Sequence, residues 1–259
     1  MEGAAQGVRG TLGRLWAILV LAPWRVVGVL LHLVRGLWLA RVPYVDRHVD
    51  QRDDAVRGWS LQMLKILGIR LVVEGQARPG AKLVVSNHVS WLDIVAINSV
   101  IPSRFVSKAE VSHWPLVGAM VSAAGTLYLQ RERRRDAMRV LGLMSQALRD
   151  GYTVAVFPEG TTGDGHQLLH FHANMLQSAI DAKTPVQPVA LRYSEPGHDV
   201  SPSMAFVGDT TLMQSLWQVI TARGLVVQLR ILPLQAANHA DRRALAETLR
   251  HQIDQQLNR

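Results

Sequence analysis

Residues 83–86 read Leu-Val-Val-Ser and run directly into Asn87-His88, with a carboxylate following at Asp93. A short apolar, β-branched run bounded by polar residues predicts a buried strand, and the Asn, His and Ser at its end are turn and helix-cap chemistry. Comparable runs predict strands over 70–74, 104–107, 125–129, 153–157, 186–193, 204–207 and 225–232. Between them, apolar positions at helical spacing predict helices over 55–67, 92–100, 114–124 (opening at Pro115), 136–149, 173–182, 211–222 and 240–257. Strands alternating with helices predict an α/β fold, a mixed, largely parallel sheet flanked by helices on both faces.

The amino end has a different texture. Residues 12–40 are strongly apolar and carry Trp16, Trp24 and Trp38, with Arg14, Arg25, Arg35 and Arg41 at roughly even intervals. No gap between these arginines approaches the ~20 apolar residues of a comfortable membrane span. No small-residue cleavage site follows the run, so a secretory signal fits poorly. The expectation is two short amphipathic helices broken around Ala22-Pro23, lying in one leaflet with arginines at the headgroups. One tilted spanning helix with snorkelling arginines, or a helix pair buried in the protein, are the competing readings. Residues 44–57 are polar and read as a linker or exposed turn. The division that follows is a membrane-associated helical segment over 1–45 and an α/β domain over 46–259.

Composition narrows the function. A chain of 259 residues builds one substantial domain with a small appended segment. Lys and Arg outnumber Asp and Glu by 28 to 20, a formal net charge of +8, which suits partners that carry phosphate: nucleic acid, an anionic membrane surface or phosphorylated small molecules. The absence of cysteine excludes disulfides, thiolate nucleophiles and Cys-ligated zinc. No P-loop, GxGxxG or GxSxG follows any strand, so nucleotide-cofactor and serine-hydrolase chemistry lack their signatures. His166 and His170 have i,i+4 spacing, but the HExxH pattern is missing and Gly163 and Gly165 make the start a loop; no metal site is expected.

The candidate chemistry sits at strand ends, where open α/β sheets place their binding crevices. Five residues separate His88 from Asp93, too many to share one face of a regular helix. If the two meet, His88 is in the loop and Asp93 in the first helical turn, where the carboxylate fixes one imidazole tautomer and His88 becomes a general base. The plainer reading makes His88 a hydrogen-bonded structural residue and Asp93 a cap. Lys108 and Glu110 follow one strand, Arg131 another, and the sequence FPEG presents Glu159 and Gly160 at a third, with Pro158 ending the strand. Several basic groups beside a His–Asp pair suit an anionic substrate. Glu159 could equally be a capping carboxylate, and Arg133, Arg134 and Arg135 read as a solvated run.

These residues carry a resemblance. NHVSWLD at 87–93 resembles the NHxxxxD motif of the glycerolipid acyltransferases, the 1-acylglycerol-3-phosphate O-acyltransferase family. Three further blocks agree in order and spacing: FVSKAEVSHWPLVG at 105–118 followed by GTLYLQR at 125–131, FPEGTT at 157–162, and VQPVAL at 186–191. The resemblance covers about residues 70–195 and implies transfer of an acyl group from a thioester, acyl-CoA or acyl carrier protein, to a lysolipid hydroxyl, with lysophosphatidic acid becoming phosphatidic acid. It implies that His88 deprotonates the hydroxyl and Asp93 orients it. Asn87, Lys108, Arg131, Glu159, Gly160 and Thr161 would hold the acceptor, while Pro188 belongs to a block linked to the donor or to packing. No cofactor, metal or covalent enzyme intermediate is implied. A base near neutral is what a hydroxyl attacking a thioester requires, and an unperturbed imidazole titrates at about 6.5.

This chain departs from the family pattern at Thr162, where many members have Arg, and at Tyr128 and Gln130, where Phe and Asp are commoner. Without that Arg the head group is less defined, and lyso-ornithine lipid or another lysolipid is an alternative acceptor. A catalytically silent lipid-binding protein would not need His88, Asp93 and Glu159 together. A nucleic-acid binder would leave the apolar amino end and the FPEG block without a role. The expected place is the cytoplasmic face of the inner membrane.

Overall fold

The computed structural model describes residues 17–41, 49–130, 134–237 and 241–258. Seven strands form one sheet among these residues: β1 (Arg70–Glu74), β2 (Leu83–Ser86), β3 (Arg104–Lys108), β4 (Leu127–Leu129), β5 (Val154–Val156), β6 (Val186–Ser194) and β7 (Val226–Ile231). Their order is β1-β7-β6-β2-β5-β3-β4. From β6 to β4 every pairing is parallel; β7 runs antiparallel to β6 and carries β1 parallel to itself. The sheet is therefore mixed and mostly parallel, as the alternation of strands and helices requires.

Eight α-helices surround it among the described residues: α1 (Ala22–Arg41), α2 (Val49–Leu67), α3 (Leu92–Asn98), α4 (Val117–Ala123), α5 (Arg134–Arg149), α6 (Gln177–Ala182), α7 (Leu212–Thr221) and α8 (Arg242–Leu257). The period of two sorts β2 between two cores. Val84 packs with residues of α1, α2, α3 and α7 on one face. Leu83 and Val85 pack with residues of α5, α6 and α8 on the other. All of β2 is buried, which is why its sequence reads as a continuous apolar run rather than an alternation.

Three expectations need correction. The amino segment does not break at Ala22-Pro23. A π turn over Ala17–Leu21 leads straight into α1, and Pro23 falls where the wider π turn gives way to α-helix, which accommodates its missing N–H. The run Leu19–Arg41 is long and apolar enough to cross a bilayer, yet one side of it is packed on the protein. Ala22 and Val29 join the same core as Val84, and the His32 ring stacks on Trp59 of α2 at 4.7 Å. Arg25 is not a free headgroup ligand: it donates to the carbonyls of Ile220 (2.7 Å) and Ala222 (2.6 Å), satisfying orphan acceptors at the carboxyl end of α7. Arg14 and Trp16 lie outside the described residues.

The polar stretch 44–57 is not a linker from Val49 onward, because α2 begins there. Its charges lie on helical faces, with Arg57 donating to Asp54 at 3.2 Å (i,i+3) and buried Arg52 bonded to the Ala124 carbonyl. Residues 204–207 form a turn and coil rather than a strand. Met204 is fully buried, and Phe206 N–H reaches the Val89 carbonyl at 3.0 Å, a single bridge where a ladder was expected.

Candidate active site

Three neighbouring strands place the site. β5, β2 and β6 lie side by side and parallel, so their carboxyl ends open on one edge. Asn87 leaves β2 there and turns its amide onto β6: Nδ2 donates to the Leu191 carbonyl and Oδ1 accepts from Leu191 N–H, both at 2.8 Å. The side chain is buried and both its polar atoms are spent on backbone, so Asn87 pins the corner from which His88 departs.

His88 lies in the loop and Asp93 in the first turn of α3. Their contact is 2.7 Å, Nδ1 to Oδ2, with the imidazole 19% exposed and the carboxylate 0%. The same Oδ2 accepts from Val89 N–H at 2.7 Å and Ser90 N–H at 3.0 Å. The carboxylate thus organises the whole loop while accepting the hydrogen bond of Nδ1–H, which leaves Nε2 as the basic nitrogen. Nε2 has no protein hydrogen-bond partner among the described residues. On one flat side the ring lies on Phe157, centroids 4.0 Å apart and planes 5° from parallel. The imidazole is therefore held at its edge and its face, with one nitrogen open.

Glu159 follows β5 and is buried. One oxygen accepts His88 N–H at 2.7 Å, the other Leu169 N–H at 2.9 Å. Burial pushes its carboxyl above the ordinary range, and the two backbone donors, Leu169 and then His88, pull against that shift. Gly160 has φ +72°, a conformation that favours glycine, and so turns the chain sharply after Glu159. Thr161 is exposed beside it. Further along, Gly163 N–H donates to the His88 carbonyl at 2.8 Å, and the Thr162 hydroxyl is committed to the Phe206 carbonyl.

Lys108 ends β3, one strand beyond β5 on the same edge, and is exposed. Arg131 lies outside the described residues. His88, Asp93 and Glu159 thus form one hydrogen-bonded cluster, with Asn87 and Gly160 as chain neighbours, Thr161 next to Gly160, and Lys108 at the carboxyl end of β3 on the same edge. Glu110 is exposed in the 3-10 turn over Ala109–His113. The unusual Tyr128 places its hydroxyl 2.7 Å from Ser122 Oγ, and Gln130 N–H donates to Asp136 at 2.6 Å.

Sequence reasoning missed Phe157, Gly163, Leu169 and Phe206 as supports of the His88 loop. Phe157 carried a signal, being the last apolar residue before Pro158. The others act through backbone atoms, which composition does not mark.

The arrangement can take a proton at Nε2 and hold the resulting imidazolium against Asp93. Comparison with known proteins places the chain in a family. The Acyltransferase family profile matches residues 70–192. The chain is 38% identical over 228 residues to the 1-acyl-sn-glycerol-3-phosphate acyltransferase of Neisseria meningitidis, spanning 84% of this chain and 88% of that one. It is 34% identical over 233 residues to the lyso-ornithine lipid O-acyltransferase of Pseudomonas aeruginosa, spanning 88% and 89%. The fold is similar to the crystal structure of the 1-acyl-sn-glycerophosphate (LPA) acyltransferase PlsC from Thermotoga maritima, with TM-score 0.64 and 21% identity over 98% of both chains. Identity at this level over most of both sequences makes the chain a member of the acyltransferase family, and with it an O-acyltransferase.

Proposed function

We propose that the protein moves a fatty acyl group from a thioester, acyl-CoA or acyl carrier protein, to the free hydroxyl of lysophosphatidic acid, giving phosphatidic acid in phospholipid biosynthesis. The observation that carries this reading is the 2.7 Å contact between His88 Nδ1 and Asp93 at a strand-end edge, with Nε2 open. Nε2 removes the hydroxyl proton as the oxygen attacks the thioester carbonyl. The tetrahedral intermediate then expels the thiolate, and the imidazolium returns the proton to it. Lys108 and Arg131 supply positive charge for the acceptor's phosphate. Glu159 and Asn87 shape the loop, and Gly160 and Thr161 border the acceptor.

A second acceptor is favoured by one feature. Where an Arg would face a phosphate, this chain has Thr162, whose hydroxyl is already bonded to the Phe206 carbonyl. Lyso-ornithine lipid, the substrate named for the P. aeruginosa relative, makes no phosphate demand on that position.

The chain works at a membrane. Trp24, Val27, Leu31, Val34 and Trp38 are all more than half exposed and follow the i,i+3/i+4 spacing of one helical face. Met213 and Trp217 expose a second apolar face on α7. With its other side bonded to the domain, α1 lies in one leaflet, on the cytoplasmic face of the inner membrane where the thioester donors are found.

The test is acyl transfer by the purified protein in detergent, with labelled acyl-CoA or acyl carrier protein offered to lysophosphatidic acid and to lyso-ornithine lipid. Phosphatidic acid formed by the wild type, and lost by at least about 1000-fold in His88→Ala with the fold intact, is the expected result. Product from the ornithine acceptor alone moves the substrate. Substantial transfer by His88→Ala removes His88 as the base.

A further inference from the structure

Asp93 Oδ2 takes three donors, while Oδ1 is buried and has no hydrogen-bond partner among the described residues. A buried carboxylate oxygen left unmatched is costly, and such cases call for a cause. The partner is visible from the far strand. Tyr193 of β6 is 2% exposed, and its hydroxyl too finds no hydrogen-bond partner of good geometry among the described residues. The two groups nevertheless interact. Burial first, then the negative charge of Asp93 and the donor contact between them, push the phenol well above its ordinary value. One is a buried donor without an acceptor, the other a buried acceptor without a donor, and each lies within reach of the other. The other titratable groups facing Asp93 among the described residues are His88, in direct contact with Oδ2, and Glu159, which feels the Asp93 charge.

We infer that Tyr193 is a positioning residue of the His88–Asp93 pair, its O–H shared toward Asp93 Oδ1 so that Oδ2 stays on Nδ1. The inference rests on the proposed base role of His88. Two consequences follow. A carboxylate gripped at both oxygens cannot rotate, so Nε2 keeps a fixed direction toward the acceptor hydroxyl. A phenol donor also draws off part of the carboxylate's charge, so Asp93 orients the imidazole without holding the imidazolium too firmly to release its proton.

The experiment is the pH dependence of kcat/KM for the full chain in detergent, with the transferable acyl-CoA and acceptor pair, for wild type and Tyr193→Phe. Phenylalanine keeps the ring in the core and removes only the hydroxyl. The expected result is about a 10-fold loss of kcat with acceptor KM unchanged, and an acid limb moved to higher pH by about half a unit or more. In an Asp93→Asn background the same substitution adds little, because its route runs through that carboxylate.

Incorporation of 3-fluorotyrosine at 193 supplies the opposite sign, and also decides the matter should Tyr193→Phe fail to fold. A more acidic phenol donates more strongly, and the acid limb moves down. Wild-type kcat with an unmoved limb overturns the inference. So does a loss that follows a fall in Tm and leaves the limb in place, or a limb unmoved by the fluorinated residue. Absence of transfer by the wild type, or its survival in His88→Ala, strikes instead at the base role itself.

Discussion

Glu159 shows how far a single residue's role depends on what lies against it. As a strand-end carboxylate it looked available to an acceptor, yet its oxygens receive the backbone N–H groups of His88 and Leu169. A buried carboxylate would repel a phosphate; what it does is tie two loops together. Glu159→Gln keeps the shape but turns an NH2 toward one of those N–H groups, leaving it unmatched at about 1–3 kcal/mol and loosening His88. The pH dependence is specific. Burial raises the carboxyl in the folded chain, so the folded state holds that proton more firmly than the unfolded one. The associated stability is present below the ordinary carboxylate range and is lost as pH rises through the raised value. The stability gap between wild type and Glu159→Gln should therefore narrow as pH rises across that window, measured by urea unfolding at several pH values. A constant gap would remove the linkage.

The His88–Asp93 pair was legible in the sequence because it is local, five residues across one strand-to-helix turn. Its supports were not, because they are distant in sequence. Tyr193 stands 100 positions beyond Asp93 and looked like one more β-former in an apolar strand.

At the scale of elements, the same contrast separates what periodicity reveals from what docking decides. Strands and helices flanking the sheet were readable, since their apolar faces have one destination. The stretch from Val49 reads as linker because charge dominates it, yet charges on one side of a helix do not prevent the other side from packing. Met63, Leu64 and Leu67 of α2 are buried. Residues 204–207 carry strand-like composition but pair with no strand among the described residues; Phe206 N–H bonds the Val89 carbonyl, and the Phe206 carbonyl takes the Thr162 hydroxyl. The docking of α1 turns on a residue with no side chain. A Cβ at Gly36 would stand 2.5 Å from Met120 Cε and 2.7 Å from Trp59 Nε1. The methionine end can move, but Trp59 is stacked on His32 and donates to its carbonyl at 3.3 Å. Gly36→Leu should thus push α1 off α2 and α4 and cost about 1–3 kcal/mol by overpacking, seen as a lower Tm. An unchanged Tm would mean that α1 is not seated as described.

For the whole molecule, the question is how the proposed membrane attachment fits a folded domain. α1 answers with two sides. Its inner side supplies Ala22 and Val29 to the main core, and Arg25 closes the end of α7. Its outer side presents Trp24 at 76%, Leu31 at 66% and Trp38 at 65% exposure. Deleting residues 1–41 therefore confounds the two roles, because it opens the core as it removes the anchor. Substituting the outer side alone separates them. Trp24→Gln, Leu31→Gln and Trp38→Gln together withdraw three large apolar groups, each worth about 1.5–3 kcal/mol when fully buried, so vesicle affinity should fall by about 100-fold or more. Tm in detergent and transfer between detergent-dispersed substrates should stay near wild type, since none of the three touches the His88 loop. The positive net charge and exposed Arg35 and Arg41 add attraction to anionic lipid, so residual binding of the triple variant should weaken as salt rises. Undiminished pelleting with neutral vesicles would show that the outer face of α1 is not what meets the bilayer. Loss of pelleting with activity intact would separate membrane attachment, on the outer face of α1, from acyl transfer at the His88 loop.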